Sequence, residues 1–545
     1  LGRYEMHELL RQYAAGKLDS QPNLATAVRD RHCSCYIAAL ERWEADLFGS
    51  GQQEALLEME ADIDNLRAAW TWAVEQVQVV DLGRVMWVLV QFYWHSGRFR
   101  EAEATFSATA SAAGAAAGAA AGTQSAADKA TCLRVWVQAL AWQSNFQRVI
   151  GQGEAARRLQ QQCLSILEDP ALSGQDTRLE RAILAWCMGV TVCMADYAQG
   201  RQWYDESYAL FRELGHQWGM AWTLNSSGSM SRFLGEYRDA RRRFEEGLAI
   251  YRALGDHAGV TGSLSRLAGI AVVEGRFKEA ERLAGEGVAA ARQGSVRPEL
   301  AYALLVQGDA LEKVAEFSKA HSVAQKSLDI YHDLAECTYV TEAHNTLGSI
   351  DMHRGRYKEA RDHARTSLEL ARAHGPPYCI GLNLLLLGCL DLAEGAHASA
   401  YQSLQNSLAA YQEYRGDCED LSLVLADLAF ATRKLGDNHG ARQHLCQALE
   451  LAAESKAVLP LLWALPAAAL LLASEGEIER AVELYTLASR YPLVSESRWF
   501  ADVVGNTLAE VAATLPAERV AILQERGRKR DLEATVAELL AALCE

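Results

Sequence analysis

The residues of this 545-residue chain that could do chemistry are its 14 histidines, its 12 cysteines and a few serines beside glycine. The histidines form no His-Glu-x-x-His motif and no paired Cys/His ligand spacing. His439 and His444 are five apart, which does not place them on one helix face. No metal site is therefore expected. No Cys-x-x-Cys pair exists and the closest cysteines are Cys33 and Cys35, so all twelve are read as reduced, buried, small hydrophobes. There is no Gly-x-Ser-x-Gly nucleophile elbow, and Gly16-Lys17 lacks the partners of a Gly-x4-Gly-Lys-Ser/Thr phosphate loop. The stretch Asn225-Ser226-Ser227-Gly228 suggests a phosphate cradle, but the register described below puts it inside a helix. The chain is thus not expected to be an enzyme.

Charge narrows the partners. Lys plus Arg is 53 against 70 for Asp plus Glu, a net charge of −17, whereas a nucleic-acid binder carries a basic footprint. Arg241-Arg242-Arg243 and Arg526-Gly-Arg-Lys-Arg530 are read as solvated helix faces or interhelix connections. The run from Ala457 to Ala473 is 17 residues with no polar side chain but the Trp463 indole, near the lower limit of a membrane span. It contains Pro460 and Pro466 and keeps the repeat register, so it is expected to be a buried helix, with no membrane partner. No leader is visible at the first residues, and a cytoplasmic location is expected.

The elements that must position these residues follow from composition and period. Half of the chain is apolar, 92 residues are alanine, and period-two runs of β-branched residues are almost absent, which points to an all-α fold. The phrase Gly-x-aromatic-x-x-Ala recurs at Gly235, Gly275, Ala315 and Gly355, with weaker copies at Gly97, Gly151, Ala195, Gly395, Gly436 and Gly476. From position 195 onward the spacing is 40 residues, once 41. The phrase ends on a small residue in all ten copies, from Ala102 to Ala481. Further small residues recur seven later (Cys163, Ser207, Gly247, Gly287, Ser327, Ser367, Ser407) and seven before (Gly228, Ala268, Gly308, Gly348, Gly388), where paired helices must approach closely.

This pattern resembles the tetratricopeptide repeat (TPR), a helix-turn-helix unit of 34 residues, here lengthened by about six residues or one and a half turns. The expected fold is a right-handed TPR superhelical solenoid of about ten repeats over 83–490, with helical capping at 491–545. The aromatic after each turn is expected to wedge between repeats. Ala108 to Gly122, with Gly114, Gly118 and Gly122 four apart, is either a helical extension or a mobile loop.

The flanks carry a second resemblance. Tyr4-Glu-Met6-His7-Glu8-Leu9-Leu10-Arg11, the later Asn65-Leu66-Arg67-Ala68, and Gly527-Arg528 with Asp531-Leu-Glu-Ala are similar to segments of bacterial STAND ATPases, the NLR-like and AfsR-like signalling proteins. The resemblance implies that 1–20 closes a winged-helix domain, that 21–82 is a helical linker, and that His7 senses ADP phosphate in the parent protein. ATP or ADP with Mg would belong to that parent. This chain carries no phosphate loop and needs no cofactor, so it is expected to be a piece of a larger protein.

In TPR geometry the first helix of each repeat lines the concave face. On the 34-residue frame the groove-facing candidates are Trp87, Gln91, Trp94 and His95, then Trp142, Asn145 and Arg148, then Trp186, then Trp222, Asn225, Ser229 and Arg232. Later repeats contribute Arg266; Tyr302, Asp309 and Lys313; Asn345, Ser349 and His353; Arg433 and Lys434. Rings anchor apolar side chains, Asn reads peptide backbone and Arg reads carboxylates. The six extra residues per repeat leave two faces open to the tryptophans, groove or core. The five-residue clamp for a C-terminal carboxylate is absent. The expected function is a ligand-sensing domain that binds an activating protein or peptide and relieves autoinhibition of an ATPase module outside this chain. A passive protein-interaction scaffold and a sugar or metabolite sensor are the alternatives.

Overall fold

The computed structural model describes residues 8–123, 126–193, 195–294, 297–334, 337–374, 378–413 and 418–544. Every regular element among them is a helix. Four helices come first: α1 (Glu8–Asp19), α2 (Pro22–Leu47), α3 (Gln52–Ala61) and α4 (Ile63–Glu75). Ten pairs follow, beginning with α5 (Val79–Ser96) and α6 (Phe99–Thr123), α7 (Ala126–Val149) and α8 (Gly153–Leu167), and α9 (Arg178–Val192) and α10 (Tyr197–Leu214). Next come α11 (Gln217–Phe233) and α12 (Tyr237–Leu254), α13 (His257–Val273) and α14 (Phe277–Gly294), α15 (Arg297–Lys313) and α16 (Phe317–Asp333), and α17 (Cys337–His353) and α18 (Tyr357–His374). The last pairs are α19 (Tyr378–Ala393) and α20 (His397–Glu413), α21 (Cys418–Lys434) and α22 (Asn438–Ser455), and α23 (Leu461–Ser474) and α24 (Ile478–Ala488). Helices α25 (Pro492–Ser495), α26 (Arg498–Phe500), α27 (Asn506–Ala512), α28 (Ala517–Lys529) and α29 (Leu532–Leu543) close the chain.

The turn inside each pair explains the recurring glycine. Gly97, Gly235, Gly275, Gly355, Gly395, Gly436 and Gly476 all have φ between +68° and +89°. Each ends the first helix of its pair in the left-handed conformation, and the next N–H reaches back to a carbonyl five residues earlier, as in Glu236 to Ser231 at 2.8 Å and Arg276 to Ala271 at 2.8 Å. Ala315 makes the same turn at φ +62° without being glycine.

The small residues let the helices of a pair touch. Those ending the phrase, from Ala102 to Ala481, are buried at every repeat. The position seven residues on does more than save space. Ser207, Ser327, Ser367 and Ser407 each donate to a carbonyl of the first helix 25 or 26 residues earlier, at 2.7–2.8 Å. The aromatic that opens the second helix packs on the next pair, as Phe317 on His353 (5.9 Å) and Tyr197 on Phe233 (4.9 Å).

The chain divides into two compact units, Leu1–Thr191 with Gln202–Met220 and Leu254–Asp256, and Val192–Arg201 with Ala221–Ala253 and His257–Glu545. In unit 1 the first helices dock onto the first pair. Arg67 donates through Nε and Nη2 to both oxygens of Glu101 at 2.6 and 2.7 Å, and Trp70 Nε1 donates to Thr109 Oγ1 at 3.0 Å. The Ala/Gly stretch continues α6 as a helix, with Ala110, Ala113 and Ala117 buried. Its Gly114 lies so close to Trp136 of α7 that a Cβ would stand 2.8 Å from the indole. His7 lies outside the described residues.

In unit 2 the array curls far enough for distant repeats to meet. The N–H of Val458, just before α23, donates to Val273 O of α13 at 2.8 Å. Apolar α23 is buried from Leu461 to Leu472. No helix among the described residues is long and apolar enough to cross a membrane. In the basic clusters Arg241 pairs with Glu274 at 2.8 Å and Arg530 with Glu483 at 2.9 Å, while Arg242, Arg526, Arg528 and Lys529 are exposed. One sequence expectation is corrected. Cys446 and Cys544 form a disulfide, Cα–Cα 5.6 Å, tying α22 to the end of α29 across 98 residues, a proximity that spacing along the chain does not reveal.

Candidate functional site

In unit 1 the candidate residues serve mainly as core. Trp142 and Trp186 are buried, with their rings 6.4 Å apart. Trp87 is half-buried at the hub of a ring cluster, 5.0 Å from Trp142, 5.5 Å from His216 and 5.8 Å from Trp218. A ring of this size gains most from contact on all sides, so packing between helices takes it from the groove. Gln91 and Asn145 are buried as well, Arg148 is half-buried, and Trp94 stays 41% exposed.

In unit 2 the candidates divide. Asn225 is buried and donates to Ser263 Oγ at 3.0 Å, joining α11 to α13. Ser229 donates to Asn225 O and Arg266 to Gly262 O, both on their own helices at 3.0 Å. Trp222 and Arg433 are half-buried, and Tyr302 packs edge-on against Tyr339 at 5.9 Å. Arg232, Asp309, Lys313, Asn345 and Ser349 instead meet around one cavity of about 270 Å³. That volume sits just below the usual range of small-molecule pockets, with room for one or two side chains.

The cavity is built entirely from first helices, α11, α13, α15, α17, α19 and α21, together with Leu459 and Trp463 at the start of α23. The spacing of its lining follows the helix period, one residue per turn on one face: Asp309 and Glu312–Lys313; Asn345, Ser349 and Met352; Leu382, Leu385 and Cys389. Curling of the array brings Arg232 to Glu419, 187 residues away, at 3.3 Å. Asn345 donates to Asn383 at 3.1 Å, so its own carbonyl can still serve a ligand.

Carboxyl groups outnumber cations on the walls: Asp309, Glu312, Glu419, Asp420 and Asp427 against Arg232 and Lys313. Burial works against the Lys313 charge, but Asp309 at 3.1 Å and Glu312 at 2.7 Å outweigh it and hold the ammonium well above the usual lysine range. Glu312 also accepts from Ser349 at 2.6 Å. Asp427 is buried, which lifts its carboxyl to about 7, partly offset by the Cys389 thiol that donates to Oδ2 at 3.1 Å. Register could have flagged Asp427, which stands nine residues before Gly436 as Trp142 does before Gly151.

His353 lies behind this wall, not on it. Its Nδ1 shares a hydrogen bond with Ser497 Oγ at 2.7 Å, and Nε2 stands 3.6 Å from Glu312, beyond hydrogen-bond reach. Burial, reinforced by the Lys313 charge, depresses it to about 3 and keeps it neutral. Ser497 belongs to a segment that the sequence pattern did not single out. Trp499 and Phe500 are fully buried among first helices: Trp499 Nε1 donates to Cys389 O at 2.7 Å, and Phe500 packs on Trp463 at 5.2 Å. No group of three or more His, Cys, Asp or Glu among the described residues could hold a metal ion.

The tetratricopeptide repeat family matches residues 181–253. Comparison with curated protein sequences finds no match. Among solved structures, a Rap protein complexed with competence and sporulation factor is similar at TM-score 0.51 and 11% identity, over 66% of this chain and 97% of that one. The apo form of RapI (TM-score 0.42, 11% identity, 71% and 96% covered) and aspartyl phosphate phosphatase F from Bacillus subtilis (0.42, 11%, 66% and 92%) also match. The helix pairs among the described residues, the repeat match and the similarity to the Rap protein at TM-score 0.51 together identify the fold as a TPR solenoid.

Proposed function

We propose that the chain is a ligand-sensing TPR domain whose unit 2 cavity takes an anchor residue of an activating protein or peptide. The observation that carries this is the cavity itself: a concave, partly open space lined mainly by the inner helices, with Arg232, Asn345 and Ser349 among its polar groups. Ligand sites of this kind are concave, mostly apolar and furnished with a few oriented polar groups. The similar Rap structure, solved with competence and sporulation factor, supports use of this fold for such recognition.

The finer reading, the sensor of a bacterial STAND ATPase, draws on the flanking motifs. It is supported by the place of Arg67: in the Asn-Leu-Arg-Ala phrase it grips Glu101 of the first helix pair, where a linker would have to join a sensor. The segment 1–20 would then end a winged-helix domain and 21–82 would be that linker. A ligand moving such a switch from 1:99 to 99:1 must favour the open state by roughly 5.5 kcal/mol. If the encoding gene has no phosphate loop upstream of Leu1, the STAND reading fails and a scaffold remains.

Native mass spectrometry of the chain purified from its own host tests the site. A retained peptide is expected, and Asn345→Ala with Ser349→Ala should release it while helicity by circular dichroism is unchanged. Retention by the double variant would move the site elsewhere, and a retained sugar or metabolite would replace the peptide reading.

A further inference from the structure

We infer, resting on the reading of the cavity as the binding site, that the anchor it takes is cationic: a guanidinium or ammonium side chain whose N–H groups meet Asp427 Oδ1. Asp427 is 1% exposed, lines the cavity from α21, and its Oδ1 has no hydrogen-bond partner. Its other oxygen accepts only from the weakly donating Cys389 thiol. A buried carboxyl oxygen left unsatisfied is costly, and a cationic donor satisfies it best.

Charges around the rest of the cavity are already committed. Asp309 and Glu312 hold Lys313, and Glu419 holds Arg232, whereas Asp427 keeps a buried carboxyl oxygen without a partner, so an entering cation finds that oxygen and meets a wall that is acidic in excess. Leu382, Leu385, Leu386 and Met352 offer apolar surface for the methylene stem of such a side chain, and the Trp463 ring lines the same space. A carboxylate-bearing anchor would instead face the excess of like charge.

The test compares acetylated, amidated pentapeptide pools carrying arginine or its uncharged isostere citrulline at the central position, together with butylguanidinium as a non-peptide probe. Binding is read by affinity-selection mass spectrometry on the wild-type chain and on Asp427→Asn. At least a tenfold preference for the arginine pool is expected on the wild type, falling below twofold in Asp427→Asn. Because the preference is read on the wild type, it does not depend on how the variant folds. Equal binding of both pools, unchanged in Asp427→Asn, overturns the cationic anchor and leaves the peptide reading standing. Asp427-dependent binding of butylguanidinium with no peptide bound keeps the cationic site and overturns the peptide reading. No binding of any probe at millimolar concentration overturns both.

Discussion

The two compact units use one repeat pattern for opposite ends. Nine residues before the turn, unit 1 places Trp142 and Trp186, and their rings fill the space between first helices. At the same register unit 2 places Leu386, nine before Gly395, and Asp427, nine before Gly436, and there a cavity of about 270 Å³ opens. The repeat specifies the helices, while the size of the side chain on the inner face decides whether the interior is core or pocket. A large ring gains by close packing; a leucine and an orphan carboxyl leave room and an unmet polar need.

That contrast is breakable. Trp142→Ala should cost about 3–5 kcal/mol of stability, as expected for a fully enclosed ring. Leu385→Ala, on the cavity wall, should cost less than about 2 kcal/mol because it widens an existing space. Denaturant unfolding of both variants checks this, and equal losses would mean that Leu385 is packed as core.

Acid sharpens it. The unfolded His353 takes a proton near 6.5 but the folded one only near 3, so its contribution is present above pH 6.5 and is lost as pH falls towards 3. Asp427 runs the other way: raised to about 7 when folded, it contributes more as pH falls from 7 towards its unfolded value near 3.9. Between pH 7 and pH 5 each amounts to roughly 2 kcal/mol, with opposite sign. Asp427→Asn should therefore lose about 2 kcal/mol more than wild type over this interval, and His353→Gln about 2 kcal/mol less. Urea midpoints at the two pH values measure both, and parallel profiles would contradict the assigned burial.

The smallest effect concerns what the units share. Ala315→Gly should gain about 1 kcal/mol, because alanine pays for a left-handed φ that glycine adopts freely. Gly395→Ala, at φ +77° with open space around it, should lose about as much. A thermal shift of opposite sign in the two variants is the expected result.

Much of this was legible because it is local. Turn glycines, small residues at fixed offsets and a 40-residue period dictate helix pairs, since left-handed turns and close helix approach admit few side chains. The helical frame also named Arg232, Asn345 and Ser349 from their places on the first helices of their pairs. It left the tryptophans between groove and core, because the frame gives the direction of a side chain and not what fills the space opposite. Asp427 was in register too, but nothing local distinguishes a carboxyl with an open oxygen from one already paired.

By itself, then, the sequence determined an all-α array of about ten helix pairs. Only the tertiary structure decided which helix faces meet. Arg232 reaches Glu419, Val458 reaches Val273, Trp499 reaches Cys389 and Cys446 joins Cys544. Each contact spans far more than one repeat, and its geometry sums the small rotation contributed by every pair between. No local pattern encodes that sum, so the closure that makes a cavity out of seven inner helices is a property of the folded array.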